Sequence, residues 1–349
     1  MLKGMENLAK VKPSYDTKRQ KLRDTVPYNG PLSMYIEPTR HCNLKCFYCM
    51  HATRGVPGGA IDKMGFTIKH MDMSLWDKLV SEVVSFPNQP KRICFSGLGE
   101  PLLNPKLPEM ARKLRNAGFT ERIDVITNGV LLTPEMTDDL IDANFNRIQI
   151  SVQGLTAERS KDISGQAIDM DAYVKNIEYL YYNKKKTDIF IKIIDANLNG
   201  EQEKQQFFNM FENICDTIFV EHLVVMQKQM GDHGGRADST RNMNNEIVEK
   251  RIVCAPMFYS QQVNVDGDTF PCSTPGLPSN FSMGNACEQT LLEIWNSNKR
   301  NDMIRTNLKQ GYEVFDACSD CSSVLAIYDV AEYLDDCREE ILERFPSRG

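Results

Sequence analysis

The stretch "HCNLKCFYCM", residues 41–50, places Cys42, Cys46 and Cys49 within eight positions, spaced C-x3-C-x2-C, and the next cysteine is Cys94. Three thiols this close restrict the loop around them more than any other feature of the chain. Their meaning depends on the redox compartment. The start, "MLKGMENLAKVKPSYDTKRQKLRD", is polar and has no apolar core of the signal-peptide kind. No run of about 18 apolar residues occurs, so no transmembrane helix is expected. These features predict a cytoplasmic chain whose 11 cysteines stay reduced. Clusters of reduced cysteines read as metal ligands rather than disulfides. The net charge of −6 makes nucleic acid and anionic membrane poor default partners.

Zinc commonly takes four ligands, paired as C-x2-C with a second pair further on. The 42–49 cluster offers three, unevenly spaced. A [4Fe–4S] cluster is held by four thiolates, so three would leave one iron open to an outside ligand. Three buried free cysteines are the alternative without metal. Their density beside Phe47 and Tyr48 favours metal.

The pattern C-x3-C-x-aromatic-C after a strand-like run, "SMYIEP" (33–38), resembles the signature of the radical S-adenosylmethionine (SAM) superfamily. The resemblance implies a [4Fe–4S] cluster on Cys42, Cys46 and Cys49 whose open iron is chelated by the amino and carboxylate groups of SAM. It implies reductive cleavage of SAM to a 5′-deoxyadenosyl radical, with Tyr48 beside the cofactor and an external reductant such as flavodoxin or ferredoxin. The implied fold is α/β: a partial (β/α)6 TIM-like barrel, with the cluster loop after the first strand and chemistry at the C-terminal strand ends.

The rest of the chain fits that expectation. "MSLWDKLVSEVVSF" (73–86) has helical spacing, with Leu75, Leu79, Val80 and Val83 on one side. "RICFSGLGEP" (92–101) reads as a strand ending in glycines and resembles the family's GGEP motif, with Leu98 in place of its first glycine. Gly97 and Gly99 would let the backbone approach SAM, and the Glu100 carboxylate or nearby carbonyls would accept from its ammonium. "LPEMARKLRNAGF" (107–119) and "PEMTDDLIDANF" (134–145) read as helices around a third strand, "IDVITNG" (123–129), which brings Asn128 to the site. "RIQISVQG" (147–154) is the fourth strand, with Ser151 and Gln153 expected at the SAM ribose; many relatives carry Asp at the latter position. "AYVKNIEYLYYNKK" is helical. "IFIKIID" (189–195) is the fifth strand, and its Lys192 reads either as a partner of the SAM carboxylate or as a solvated lysine. "TIFVEHLVV" (217–225) is the sixth. The alternation predicts a parallel sheet.

Residues 230–246 read as a linker or active-site loop containing His233. Beyond it come Cys254, Cys272, Cys318 and Cys321, with a hairpin expected to turn at Asp266-Gly267 in "VNVDGDTFPC". On spacing alone these four suit zinc or one auxiliary [4Fe–4S] cluster. The arrangement resembles the SPASM and twitch extensions of radical SAM enzymes, which hold auxiliary clusters, and the shorter twitch form fits better. Two [4Fe–4S] clusters and SAM are therefore the expected cofactors. Cys94, Cys215, Cys287 and Cys337 read by default as small buried hydrophobes. Cys94 on the second strand is a candidate for the barrel interior, and Cys337 for a hydrogen-atom donor or the remnant of a longer SPASM pattern. The expected organisation is an N-terminal extension (1–30), the barrel (31–230), the auxiliary domain (231–325) and a helical tail (326–349).

The cysteine layout is similar to that of the twitch-type aminocyclitol dehydrogenase of butirosin biosynthesis. That resemblance implies a two-electron oxidation of an alcohol on a sugar or aminocyclitol, with the auxiliary cluster as electron acceptor. Two other reactions remain open. One is peptide maturation by thioether or crosslink formation, for which the first 30 residues look too short to supply a separate leader-binding module. The other is radical epimerisation, which needs a cysteine to return hydrogen from the opposite face.

Overall fold

The computed structural model describes residues 8–13, 19–224, 226, 238, 240–319, 321–326 and 329–345. Ten strands form one sheet: β1 (Lys10–Val11), β2 (Ser33–Ile36), β3 (Arg92–Phe95), β4 (Arg122–Thr127), β5 (Arg147–Val152), β6 (Asp188–Ile194), β7 (Thr217–Glu221), β8 (Ser260–Val263), β9 (Asp268–Phe270) and β10 (Gly284–Asn285). Their order is β1-β7-β6-β5-β4-β3-β2-β8-β9-β10. The six strands β2 to β7 run parallel and in sequence order. They are the six strands expected, each stopping one or more residues earlier, with β4 and β6 starting one residue earlier. β7 stops at Glu221, and Val225 lies outside the described residues.

Alternation along each strand decides what faces the core. Ile148, Ile150 and Val152 of β5 stand opposite Ile189, Ile191 and Ile193 of β6. All six are buried in the main apolar cluster, together with Leu75, Leu79, Val80 and Val83 of the helix Met73–Ser85. The other face of the same strands carries Gln149 and Ser151 on β5 and Phe190 and Lys192 on β6. This is the two-residue period of a pleated strand with one face against helices and one lining a polar interior. Lower on the interior face, Tyr35, Cys94, Asp124, Arg147 and Asp188 form one row across five strands. Asp124 accepts from Arg92 Nε at 2.6 Å and from Arg122 Nε at 2.7 Å, and Arg92 also donates to the Tyr35 hydroxyl at 3.0 Å. The charges on this buried floor are paired, as burial requires. Cys94 sits in this row, so it does face the interior.

Several elements were not visible in the sequence. The helix Ala157–Ser164 is short and largely polar, and it starts on Thr156, whose hydroxyl accepts from Arg159 N. The hairpin at Asp266-Gly267 forms as expected, with Gly267 at φ +85° and Val263 opposite Thr269. Its first strand, β8, also pairs in parallel with β2, Ser33 opposite Ser260. The cysteine-bearing second half therefore extends the barrel sheet. A strand of the N-terminal extension, β1, closes the other margin against β7.

Candidate cluster and SAM site

The loop after β2 is held from four sides. Arg54 donates to the Cys42 carbonyl at 2.6 Å, and the amides of Lys45 and Phe47 donate to the carbonyls of Ser164 and Ile163. Asn128 Nδ2 donates to Asn43 Oδ1 at 2.8 Å. The turn after β3 packs directly on the loop's entry. A Cβ on Gly99 would stand 2.2 Å from the Thr39 carbonyl oxygen and 2.6 Å from that of His41, and one on Gly97 would stand 2.6 Å from Glu37 Cγ. Both positions admit only glycine for this close backbone approach.

Cys42, Cys46 and Cys49 are free thiols that act on one another electrostatically. Burial, reinforced by the Glu100 carboxylate and the Cys49 thiol, pushes Cys42 up to about 12. It raises Cys46 further, and burial raises Cys49 too. Thiols whose ionisation is opposed in this way become thiolates only with a cation among them, and bound metal supplies one. The donor set fits an iron–sulfur cluster. Among the described residues, no three His, Cys, Asp or Glu side chains close tightly enough to ligate a single metal ion. An apolar shell of Met50, Ile61 and Leu98, with Cys49, Met64 and Phe66 against it, covers one side. That shell explains Leu98 where the related motif has glycine: the side chain packs on the cysteine loop.

Of the residues expected at SAM, Gly99, Glu100, Asn128 and Gln153 touch this loop, and several are already engaged. The Glu100 carboxylate is buried and accepts from Leu102 N (3.0 Å), Thr127 Oγ1 (2.6 Å) and Asn128 N (2.7 Å). It clasps the ends of β3 and β4, so the carbonyls of the turn are better disposed than the side chain to receive an ammonium. Asn128 is tied to the loop as described. Tyr48 donates its hydroxyl to Gln153 Oε1, Gln153 Nε2 donates to the Ser151 carbonyl at 2.9 Å, and Cys46 Sγ lies 3.5 Å from Gln153 Oε1. Lys192 faces the interior and is neither solvated nor free: its ammonium pairs with Glu221 at the end of β7. Sequence reasoning missed Glu221, which became legible only once the register set it two positions beyond Lys192 on the adjacent strand, opposite Ile194.

The second cysteine set also comes together. Cys254 feels Cys272, Cys318 and Cys321, in that order of strength after burial. Burial raises all of Cys254, Cys272 and Cys318, with Cys272 at about 11. Cys321 N donates to the Cys318 carbonyl at 3.0 Å, the turn that C-x2-C allows. Asn307, fully buried, clamps the first ligand position: it accepts from Cys254 N at 2.9 Å and donates to the Cys254 carbonyl at 3.0 Å. Cys337 is not part of this group. It lies in the tail near Arg23, its thiol 3.5 Å from the Leu334 carbonyl. His233 lies outside the described residues.

The two cysteine sites share a border. Arg40, at the entry to the first loop, pairs with both Glu37 and Asp266 of the β8–β9 turn. Gly276, four residues after Cys272, lies against the Met50 thioether.

Comparison with known proteins agrees with this geometry. The profile of the Radical SAM superfamily matches residues 36–203, and that of SPASM, an iron–sulfur cluster-binding domain, matches residues 254–322. A tungsten-containing aldehyde ferredoxin oxidoreductase cofactor-modifying protein of Pyrococcus furiosus is 24% identical over 83% of this chain and 86% of its own length. A PqqA peptide cyclase of Bradyrhizobium diazoefficiens is 29% identical over 48% of this chain, a stretch that spans only 40% of the cyclase. Among solved structures, BtrN in complex with AdoMet and 2-DOIA superposes with a TM-score of 0.53 at 19% identity, covering 86% of this chain and 97% of that one. That likeness is one of fold.

Proposed function

We propose that this chain, whose residues 36–203 match the radical SAM superfamily and 254–322 the SPASM iron–sulfur domain, oxidises an alcohol carbon of a small polar substrate, a sugar or an aminocyclitol, by two electrons. Cys42, Cys46 and Cys49 hold the cluster that binds SAM. Cys254, Cys272, Cys318 and Cys321 hold an auxiliary cluster, and residues 31–230 and 231–325 divide the two functions. When bound, the first cluster with SAM supplies hydrogen-atom abstraction, and the auxiliary cluster supplies a one-electron acceptor.

The observation that carries this reading is the set of four mutually neighbouring thiols around Cys254. Four thiolates saturate one cluster, leaving no iron for substrate and suiting it to electron transfer. The interior face supports a polar substrate. Ser151 and the Lys192–Glu221 pair offer a hydroxyl, a donor and an acceptor within two strand positions of one another. The chain's own residues have three tasks. Glu100, Asn128 and the glycines fix the loop; Ser151, Lys192 and Glu221 orient hydroxyl groups; and Met50, Ile61 and Leu98 keep water from one side of the thiols.

The test is anaerobic incubation of the reduced, reconstituted protein with SAM and a panel of sugars and aminocyclitols, following 5′-deoxyadenosine and product mass. The expected product is lighter than substrate by two hydrogens and forms in proportion to SAM consumed. A product of unchanged mass that gains one deuterium in heavy water would replace this reading with epimerisation.

A second reading is favoured by the relatives. The cofactor-modifying protein matches along most of the chain, and the peptide cyclase matches across half of it. On that reading the substrate is a larger cofactor precursor or a peptide, and a crosslinked product would identify it. An external electron donor is required on either reading. Among the described residues, no helix is long and apolar enough to cross a membrane.

A further inference from the structure

The segment just after the cysteine loop carries a cation that no acid answers. Arg54 caps the short helical turn Met50–Thr53 and is half-buried. Its Nη1 donates to the Cys42 carbonyl at 2.6 Å and lies 3.0 Å from His51 Nδ1. A guanidinium has donors only, so Nδ1 is the acceptor in that contact. Arg40, at the loop's entry, meets two carboxylates, Glu37 and Asp266. Among the described residues Arg54 meets none, and its contacts are a carbonyl and an imidazole. What its charge faces is thiols. The guanidinium favours the ionised forms of Cys42 and Cys49, against the burial that opposes them. Glu100 acts the other way on Cys42. Its carboxylate is already taken up by Leu102 N, Thr127 Oγ1 and Asn128 N.

A cation drawn out of water without an anion costs free energy, so a fold that keeps one beside three thiols keeps it for negative charge absent from the free protein. An iron–sulfur cluster on three thiolates brings that charge. Taking one electron from the external donor, with no proton to offset it, makes the site more negative still. A fixed cation nearby therefore stabilises the reduced form more than the oxidised one. Net charge around a cluster is one of the levers by which a protein sets its potential. We propose that Arg54 raises the reduction potential of the cluster held by Cys42, Cys46 and Cys49 and so brings it within reach of the electron donor. The proposal rests on the assignment of that cluster to the 42–49 loop.

The test is a redox titration of the reconstituted full chain, followed by electron paramagnetic resonance with and without SAM. SAM alters the signal of the first cluster alone, which leaves the auxiliary cluster as an internal standard. At the potential where the original first cluster is half reduced, Arg54→Met should show a ratio of reduced to oxidised cluster about tenfold lower, about 59 mV for one electron. That is the size of a unit charge acting over about 10 Å at an effective dielectric of about 20. Arg54→Lys, which keeps the charge, should titrate close to the original chain. Arg54→Gln, which keeps a donor for the Cys42 carbonyl without the charge, should follow the methionine variant. The auxiliary cluster should titrate alike in all four proteins.

An unchanged first-cluster potential in Arg54→Met would overturn the proposal. So would an Arg54→Gln that titrates like the original, because the hydrogen bond and not the charge would then matter. An equal shift of both clusters would overturn it as a global change. Iron counted in each variant guards against collapse of the loop. If only Arg54→Met loses iron at the first site, Arg54→Gln carries the test; loss in all three variants would overturn the proposal by making Arg54 a support of the loop. If the original chain gives no signal that responds to SAM, or keeps all its iron when Cys42, Cys46 and Cys49 become alanine, the assignment of the cluster to the loop itself fails, and the two failures are told apart.

Discussion

The side-chain amide of Asn128 donates to Oδ1 of Asn43 at 2.8 Å, joining the end of β4 to the middle of the cysteine loop. Asn128 is held from the other side, its backbone N–H on Glu100 and its carbonyl on the Tyr173 hydroxyl at 2.8 Å. The loop therefore takes its position from a strand end fixed by buried groups.

Replacing Asn128 by alanine should cost about 1 kcal/mol of global stability, the worth of one hydrogen bond. SAM cleavage should suffer more, because the loop loses its tie to β4. Urea unfolding and the rate of 5′-deoxyadenosine formation measure the two effects. A loss of cleavage no larger than the loss of stability explains would remove Asn128 from the site.

Metal content separates the two cysteine sets. Reconstituted protein should hold about eight iron atoms per chain, as two four-iron clusters require. Alanine at Cys42, Cys46 and Cys49 together should leave about four and abolish SAM cleavage. Asn307→Ala, which unclamps Cys254, should lower iron content through the auxiliary site while SAM cleavage persists. About four iron with one zinc in the intact chain would assign the second set to zinc.

Gly99→Ala tests the close approach of the β3 turn to the loop. The added methyl would meet the Thr39 and His41 carbonyls at 2.2 and 2.6 Å. Overpacking of this kind costs about 1–3 kcal/mol, and here the yielding part is the backbone one to three residues before Cys42. Thermal unfolding should shift down and iron at the first site should fall. An unchanged iron content would mean that the turn moves instead of the loop.

Arg40→Met should be strongly pH-dependent. Burial holds the Glu37 carboxyl above its ordinary range, while Arg40 pulls it back. A carboxyl raised on folding binds more proton in the native state, so its contribution to stability falls as pH rises from the unfolded value through the folded one. Without Arg40 the Glu37 value rises further. The variant should lose about 3–5 kcal/mol near pH 8, the cost of stranding a buried charge, and less near pH 5. Urea unfolding of both proteins at the two pH values checks this. Equal losses would mean that Glu37 is already neutral in the folded chain.

The sequence by itself determined the thiol chemistry, the helix–strand alternation and the strand ends that flank the cysteines. Each rests on spacing over a few residues: C-x3-C-x2-C within one loop, the alternation in "RIQISV", the helical spacing of Leu75, Leu79, Val80 and Val83. Only the tertiary structure decided which polar groups are occupied. Glu100 turned out to be a clasp and Lys192 half of an ion pair. The same holds for β8 joining β2. A hydrogen bond's partner is fixed by which strands lie side by side and in what register, and a one-residue slip would turn every such side chain to the opposite face.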